Sequence, residues 1–359
     1  MSAVSRLRGS ITGQHVGALV AILFLLGLNL LKDPGYLAIS YNANSGGFVG
    51  NLVDIARAVA PVLMVSTGMC LVIATGGIDL SVGSMMAVSG AVTMEYLAGA
   101  DAPDSIGAAV VAIGLMLAVC AVLGLVNGLL IAGVGLQPFI ATLVMMLAAR
   151  GLAKVITTNA NTQADNEPFE WLTNGYVLGI PAAILVSGCI AIAVAAVVRT
   201  SALGMLIESI GINAEASRLA GINRRAFLVV VYVMSAALAG VAGIFATGSV
   251  MTVNVSQTGQ LLELDAILAV VIGGTSLAGG RFSLAGAAIG AVLIATLDKT
   301  IVFLGIPSAS TPAFKAAVII ALYVGQSARF RAWVRLVRRR SSSPPTGVLP
   351  GASTEVTVR

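Results

Sequence analysis

Two runs too apolar for water are separated by Ile73-Ala74-Thr75-Gly76-Gly77-Ile78-Asp79-Leu80-Ser81-Val82-Gly83-Ser84, a glycine-rich break that carries a carboxylate. Hydrocarbon tolerates a charge and an irregular backbone only where protein or a watery cavity surrounds them. The break therefore excludes a chain of simple lipid-facing helices. A second segment, Gly273-Gly274-Thr275-Ser276-Leu277-Ala278-Gly279-Gly280, echoes it in the other half, with Ser276 where Asp79 stands in the first. Related interruptions in two halves of a polytopic membrane protein point toward a transport pathway.

Composition supports this reading: 58% of the 359 residues are hydrophobic and 10% are charged, whereas soluble domains carry about a quarter charged residues. Roughly twenty apolar residues span a bilayer, and about ten such segments can be drawn. They cover residues 16–31, 52–75, 82–99, 107–133, 137–157, 178–199, 226–249, 261–278, 282–304 and 313–328. The expected fold is an all-α polytopic membrane protein with one transmembrane domain over 16–328. A short segment, 1–15, precedes it, and a basic stretch and then a polar, proline-containing tail that reads as disordered follow over 329–359. Arg6 and Arg8 before the first apolar run superficially suggest a signal peptide. With so many spans behind it, the run reads as an uncleaved first helix. The fourth span is long enough to tilt or to break near Asn127-Gly128, and the eighth is short and glycine-ended, as a partly re-entrant segment would be.

Lysine and arginine in loops set orientation. An even number of spans puts both termini on one side, together with Arg199, Arg218, Arg224, Arg225, Arg281 and the cluster from Arg329 to Arg340. The opposite loops carry Asp101, Asp104, Asp165, Glu167, Glu170, Glu263 and Asp265, with Lys32, Arg57, Arg150 and Lys154 as exceptions. Cytoplasmic termini follow. The basic cluster reads as a topology signal and a contact for lipid headgroups, and the net charge of +5 requires no nucleic acid. Cys70, Cys120 and Cys189 lie in apolar runs and His15 is the single histidine, so no metal site is expected. Glycine pairs such as Gly124 with Gly128, Gly240 with Gly243 and Gly286 with Gly290 suit close helix packing.

The polar segment from Arg199 to Arg225 holds a short helix of about two turns. Asn213 can cap it, Glu215 complements its dipole and Gly221 stops it. Ala216, Leu219 and Ala220 form a small apolar face beside Glu215 and Arg218. Such a helix either docks in a groove of a partner or merely connects two spans.

Three stretches in order, Ala74 to Ser84 (ATGGIDLSVGS), Ala202 to Ile222 (ALGMLIESIGINAEASRLAGI) and Leu264 to Gly280 (LDAILAVVIGGTSLAGG), resemble the permease subunits of bacterial ATP-binding cassette importers for monosaccharides. This is the ribose, xylose and arabinose permease family, and the resemblance covers about residues 50–328. Leu262 to Gly274 and Gly279-Gly280-Arg281-Phe282 look most like galactofuranose transporter permeases. The resemblance implies a permease fold in the bacterial inner membrane and three kinds of partner: an ATPase subunit, a periplasmic sugar-binding protein and a second permease chain, identical or different. It makes the loop around 200–225 the element that docks on the ATPase, with Leu203, Gly204, Gly211, Asn213, Glu215, Arg218 and Gly221 as coupling residues. The chain has no GxxxxGK[ST] phosphate loop, so ATP and magnesium belong to the partner. This chain is expected to be non-catalytic, to bind no cofactor and to work by alternating access.

A neutral sugar needs hydrogen-bonding groups with little net charge along its path. Pathway or gate candidates are Thr75, Asp79, Ser81, Asn127, Thr275 and Ser276, with Gln137, Thr142 and Asn254 beside them. The hydroxyls can equally bond helix backbone, and Asp79, placed near the cytoplasmic end of its span, can cap the next helix, gate the path or couple it. Glu263 and Asp265 are candidates for meeting the binding protein or for a solvated rim. An ion-coupled secondary sugar transporter is the rival reading, and a channel a third. The coupling loop and the scarcity of mid-span carboxylates weigh against both.

Overall fold

The computed structural model describes residues 13–43, 46–102 and 104–326. Arg6, Arg8, the basic cluster from Arg329 and the tail lie outside these residues. The elements, in order, are α1 (Gly13–Lys32), β1 (Ser40–Asn42), β2 (Gly47–Val49), α2 (Asn51–Ala74), α3 (Val82–Ala98), α4 (Ile106–Leu129) with a π turn (Leu130–Val134), α5 (Pro138–Ile156), β3 (Thr162–Gln163) and α6 (Glu167–Asn174). There follow β4 (Tyr176–Val177), β5 (Ile180–Pro181), α7 (Ala182–Thr200), α8 (Leu203–Ile212), α9 (Ala214–Leu219), α10 (Arg224–Gly248), β6 (Thr252–Val253), α11 (Leu262–Ile272), α12 (Leu284–Leu304), a 3-10 turn (Ser308–Ser310) and α13 (Thr311–Gln326). Residues up to Lys315 form one compact unit, and from Ala316 the chain continues as the rest of α13.

Seven helices among the described residues are long and apolar enough to cross a membrane: α1, α2, α4 with its π turn, α5, α7, α10 and α12. The other three expected spans are helices of 17 (α3), 11 (α11) and 16 (α13) residues. Two of these are short because an interruption cuts them: α3 begins after the first, and α11 ends at the second. The long fourth span stays α-helical past Asn127-Gly128, loosens only in the π turn and stops at Gly135.

The apolar pattern decides which helices lie inside. In α2, 78% of the span window is buried, against 28% in α1, α4 and α5 and 22% in α7; an all-round apolar helix is either core or lipid-facing. α10 packs on α2, α3 and α4, while α12 packs on α1, α2 and α11. Small residues permit these approaches: a Cβ at Gly124 would stand 2.8 Å from Tyr232 O, and one at Gly243 2.7 Å from Met86 O. Without a hydrophobic drive between helices in lipid, such close backbone contact supplies the attraction.

Antiparallel pairs β1–β2, β3–β6 and β4–β5, together with α6, tie the connections at one end of the bundle. Three of the four basic residues that broke the charge pattern are held there by carbonyls. Lys32 donates to Phe303 O, Arg57 to Asn174 O, and Arg150 to Val255 O and Thr258 O. At the other end, Leu71, Val72, Ala74, Ile131, Ala141, Val198, Ile207, Leu228, Val231 and Tyr232 form a buried cluster. It locks α8 into the bundle through Ile207.

One lysine joins three helices. Lys315 Nζ lies 2.7 Å from Asp265 Oδ2 on α11 and 2.7 Å from Asp298 Oδ1 on α12. Removing one partner of a buried pair costs roughly 3–5 kcal/mol, and Asp298, with 36% of its side chain exposed, moves this case toward the lower figure. Lys315→Met is therefore expected to lower the thermal midpoint in detergent, and adding Asp265→Asn and Asp298→Asn to restore most of it.

Candidate functional site

Both breaks end their helices in the same way. After α2, Gly77 N–H donates to Val72 O and Gly76 N–H to Ile73 O; after α11, Thr275 N–H donates to Val270 O and Gly274 N–H to Val271 O. This paired closure needs a left-handed residue just past the helix, and Gly76 (φ 81°) and Gly274 (φ 98°) supply it. The shared geometry sets Gly76 opposite Gly274. The expected pairing of Asp79 with Ser276 is thus shifted by one residue, because the two glycine pairs enter the motif one position apart.

Beyond Gly77 the first break climbs back into the bundle. Asp79 is 1% exposed and accepts three hydrogen bonds. Ser81 N–H and Oγ–H donate to Oδ1 at 3.0 and 2.6 Å, and Ser235 Oγ–H donates to Oδ2 at 2.9 Å. Asn127 Nδ2–H donates to Ser81 Oγ at 3.0 Å. A carboxylate in a dry interior requires such donors. Ser235 sits at the middle of α10, so Asp79 lies level with the centre of that helix, not near the cytoplasmic end of its span. The difference arises because residues 78–81 carry the chain back up before α3 starts. Their irregular backbone is enclosed by protein, with Ile78 O accepting from Thr142 Oγ1–H at 3.1 Å. The Tyr232 hydroxyl packs against Gly77 and has no hydrogen-bond partner among the described residues.

The two breaks meet each other at α8. Gly280 N–H donates to Ala74 O at 2.9 Å. A Cβ at Gly211, near the end of α8, would stand 2.0 Å from Ala74 O and 2.4 Å from Gly280 N. A Cβ at Gly279 would stand 3.0 Å from both Gly211 O and Gly76 N. Three backbones therefore touch with no side chain between them. From this junction the chain passes directly into α9. Asn213 Oδ1 accepts from Glu215 N–H (3.1 Å) and Ala216 N–H (2.9 Å), and Gly221 closes the helix, its N–H donating to Arg218 O. Arg218 Nε–H donates to Glu215 at 3.1 Å and holds that carboxyl below its usual range, so both groups stay ionised near neutral pH. Ala216, Leu219 and Ala220 are exposed, Leu219 at 74%. Leu203 and Gly204 anchor the start of α8 on the buried cluster and on Val198.

The remaining candidates fall elsewhere. Thr75 Oγ1–H donates to Val72 O, and Thr275 Oγ1 accepts from Ser283 N–H; both bond backbone. Ser276 is partly exposed and its N–H donates to Arg281 O. Asn254 Oδ1 accepts from Ser256 N–H and Gln257 N–H, and Gln137 is exposed at the start of α5. Glu263 lies against Gly83, and Asp265 is paired with Lys315. Sequence reasoning missed Ser235, Tyr232 and Lys315. Ser235 and Tyr232 interrupt the apolar run VVVYVMSAALAG of α10, a signal of the same kind as the one that exposed Asp79.

Residues 51–324 match the profile described as branched-chain amino acid transport system / permease component. The fructose import permease protein FruF of Bifidobacterium longum is 50% identical over 315 residues, covering 86% of each chain. The galactofuranose transporter permease protein YtfT of Escherichia coli is 37% identical, covering 90% of this chain and 93% of its own. The ribose import permease protein RbsC of Escherichia coli is 35% identical, covering 84% and 90%. No solved structure matches. The chain belongs to the branched-chain amino acid transport system / permease component family and is a multi-pass membrane permease subunit.

Proposed function

We propose that this chain forms the translocation pathway of an ATP-driven importer for a monosaccharide, carrying the sugar across the bacterial inner membrane unchanged. Similarity to relatives named for fructose, galactofuranose and ribose supports the substrate class. The half-identical fructose relative favours a ketohexose over the galactofuranose suggested by the motifs alone. Ten helices take part in spanning, the seven long ones plus α3, α11 and α13, and both termini are cytoplasmic. A binding protein delivers sugar at the end bearing the β pairs, a second permease chain completes the pathway, and a separate ATPase binds ATP and magnesium.

The observation that carries this reading is the path from α9 to the breaks. α9 presents an unpartnered apolar face flanked by the Glu215–Arg218 pair, and through Gly211 it is one backbone contact away from both interruptions. A push on α9 from a closing ATPase dimer therefore reaches the ends of α2 and α11 together. A short amphipathic helix entering a groove is a common way for proteins to dock. The secondary-transporter reading would require a free ionisable ligand in the core. Here Asp79 is held by two hydroxyls and a backbone N–H, and Asp265 and Asp298 share Lys315, so none of these three is free to bind a coupling ion.

In this reading Asp79 holds the first break in place and does not touch sugar. Asp79→Ala leaves Ser81 and Ser235 without their acceptor and should destabilise the chain by roughly 3 kcal/mol or more, measured as a lower thermal midpoint in detergent; an unchanged midpoint would contradict the pinning role. Leu219→Asp on the exposed face of α9 should leave that midpoint unchanged. It should also weaken retention of the ATPase on purification by at least about tenfold, the effect of some 1.4 kcal/mol, and abolish uptake.

A further inference from the structure

Two helices start inside the bundle, and their starts touch. A Cβ at Gly83 would stand 2.3 Å from Gly259 O, and one at Gly259 would stand 2.2 Å from Gly83 O. The first turn of α3 is thus held against the chain that leads into α11. Glu263, in the first turn of α11, brings Oε2 to within 2.4 Å of the Gly83 Cβ position, where the N-terminal end of α3 favours negative charge. Arg150 on α5 closes the third side, its Nη1–H groups donating to Val255 O (2.8 Å) and Thr258 O (2.7 Å).

A cavity of ≈ 250 Å³ lies against this meeting point. Its polar wall comprises Ser84, Arg150, Lys154, Ser256, Gln260 and Glu263, and three apolar side chains, Met146, Leu147 and Leu261, complete the lining. Ser84 borders this space but is fully enclosed, and its Oγ, like Ser66 Oγ and the Tyr232 hydroxyl, has no hydrogen-bond partner among the described residues. Buried hydroxyls without partners are rare, because desolvation without a hydrogen bond costs on the order of 1–3 kcal/mol.

We propose that this cavity is where the permease holds its sugar in transit. The inference rests on the importer reading above. The wall offers what a neutral polyhydroxy compound requires: an acceptor in Glu263, donors in Arg150 and Lys154, and groups that do both in Ser256 and Gln260. The apolar lining suits the C–H face of a sugar ring. An anionic ligand fits less well, since Glu263 faces the same space and one nitrogen of Arg150 is already engaged by two carbonyls. The site is also placed for alternating exposure. Its walls belong to α3, α5, α11 and the segment 256–261 that leads into α11, and the other end of α11 runs into the second break at the α8 junction.

The test uses the complete importer in proteoliposomes, with its ATPase and binding protein and with D-fructose and D-ribose as probes. Glu263→Gln is expected to reduce sugar uptake by at least about tenfold, the size of one charge-assisted hydrogen bond. ATP hydrolysis stimulated by the loaded binding protein should remain within about twofold, a change of under 0.5 kcal/mol, so that sugar moved per ATP falls. A second variant, Gln260→Cys in a Cys189→Ser background, is expected to react with a water-soluble thiol reagent and to be protected during turnover with sugar. It keeps the proposal testable where Glu263→Gln fails to assemble. Wild-type uptake in Glu263→Gln, absence of sugar protection at residue 260, or protection by inorganic phosphate alone would each overturn the assignment. A wild-type importer that hydrolyses ATP but moves neither sugar would instead reject the monosaccharide reading, an outcome distinct from a defect confined to the cavity variants.

Discussion

Backbone that leaves a helix inside a membrane must find its hydrogen bonds within the protein, and the architecture follows from how two such interruptions meet that demand. Each break closes its own helix with a left-handed glycine, and then the two share a bond, from Gly280 N–H to Ala74 O. Gly211 of α8 lies flush against that bond. Because Gly76, Gly211, Gly279 and Gly280 carry no side chains, the three segments approach as bare backbone at Ala74 O and cannot move far independently. The packing of α2 and α10 as the most buried spans, the short lengths of α3 and α11, and the position of the exposed helix α9 all stem from this arrangement.

The polar groups in the core then divide into two kinds. Asp79, Ser81, Ser235 and Asn127 bond one another, with Asn127 Oδ1 left without a partner among the described residues, and fix the climb of residues 78–81 beside α10. Lys315 between Asp265 and Asp298 does the same for α11, α12 and α13. Both sets stabilise positions and have little left to offer a ligand. The polar groups of Arg150, Lys154, Ser256, Gln260 and Glu263 differ, since they line open space. The contrast separates the pins of the fold from the surface a sugar would meet.

Much of this was legible in the residues. Apolar runs marked the helices, and the Gly76-Gly77 and Gly273-Gly274 pairs marked the interruptions. Asn213 and Gly221 marked the ends of α9, because capping is local chemistry that depends on a few neighbouring residues. The depth of Asp79 was not legible: hydropathy counts residues along a helix and cannot register a chain that turns back on itself. The contact of Gly83 with Gly259 was likewise hidden, for the two lie far apart in sequence and glycine reveals only that something comes close. Glu263 read as a docking or rim residue by its place at a span end, and its packing against Gly83 of α3 was not visible from there.

The central claim is that motion at α9 reaches the pathway through the glycine junction, and Gly211→Ala tests it most directly. The added methyl would stand 2.0 Å from Ala74 O and 2.4 Å from Gly280 N, so the junction must open to admit it, while the exposed face of α9 is untouched. In the reconstituted importer, this variant should retain its ATPase subunit and its ATP hydrolysis but move at least about tenfold less sugar per ATP, a coupling loss of roughly 1.4 kcal/mol. An unchanged ratio of sugar to ATP in a fully assembled Gly211→Ala complex would contradict the account.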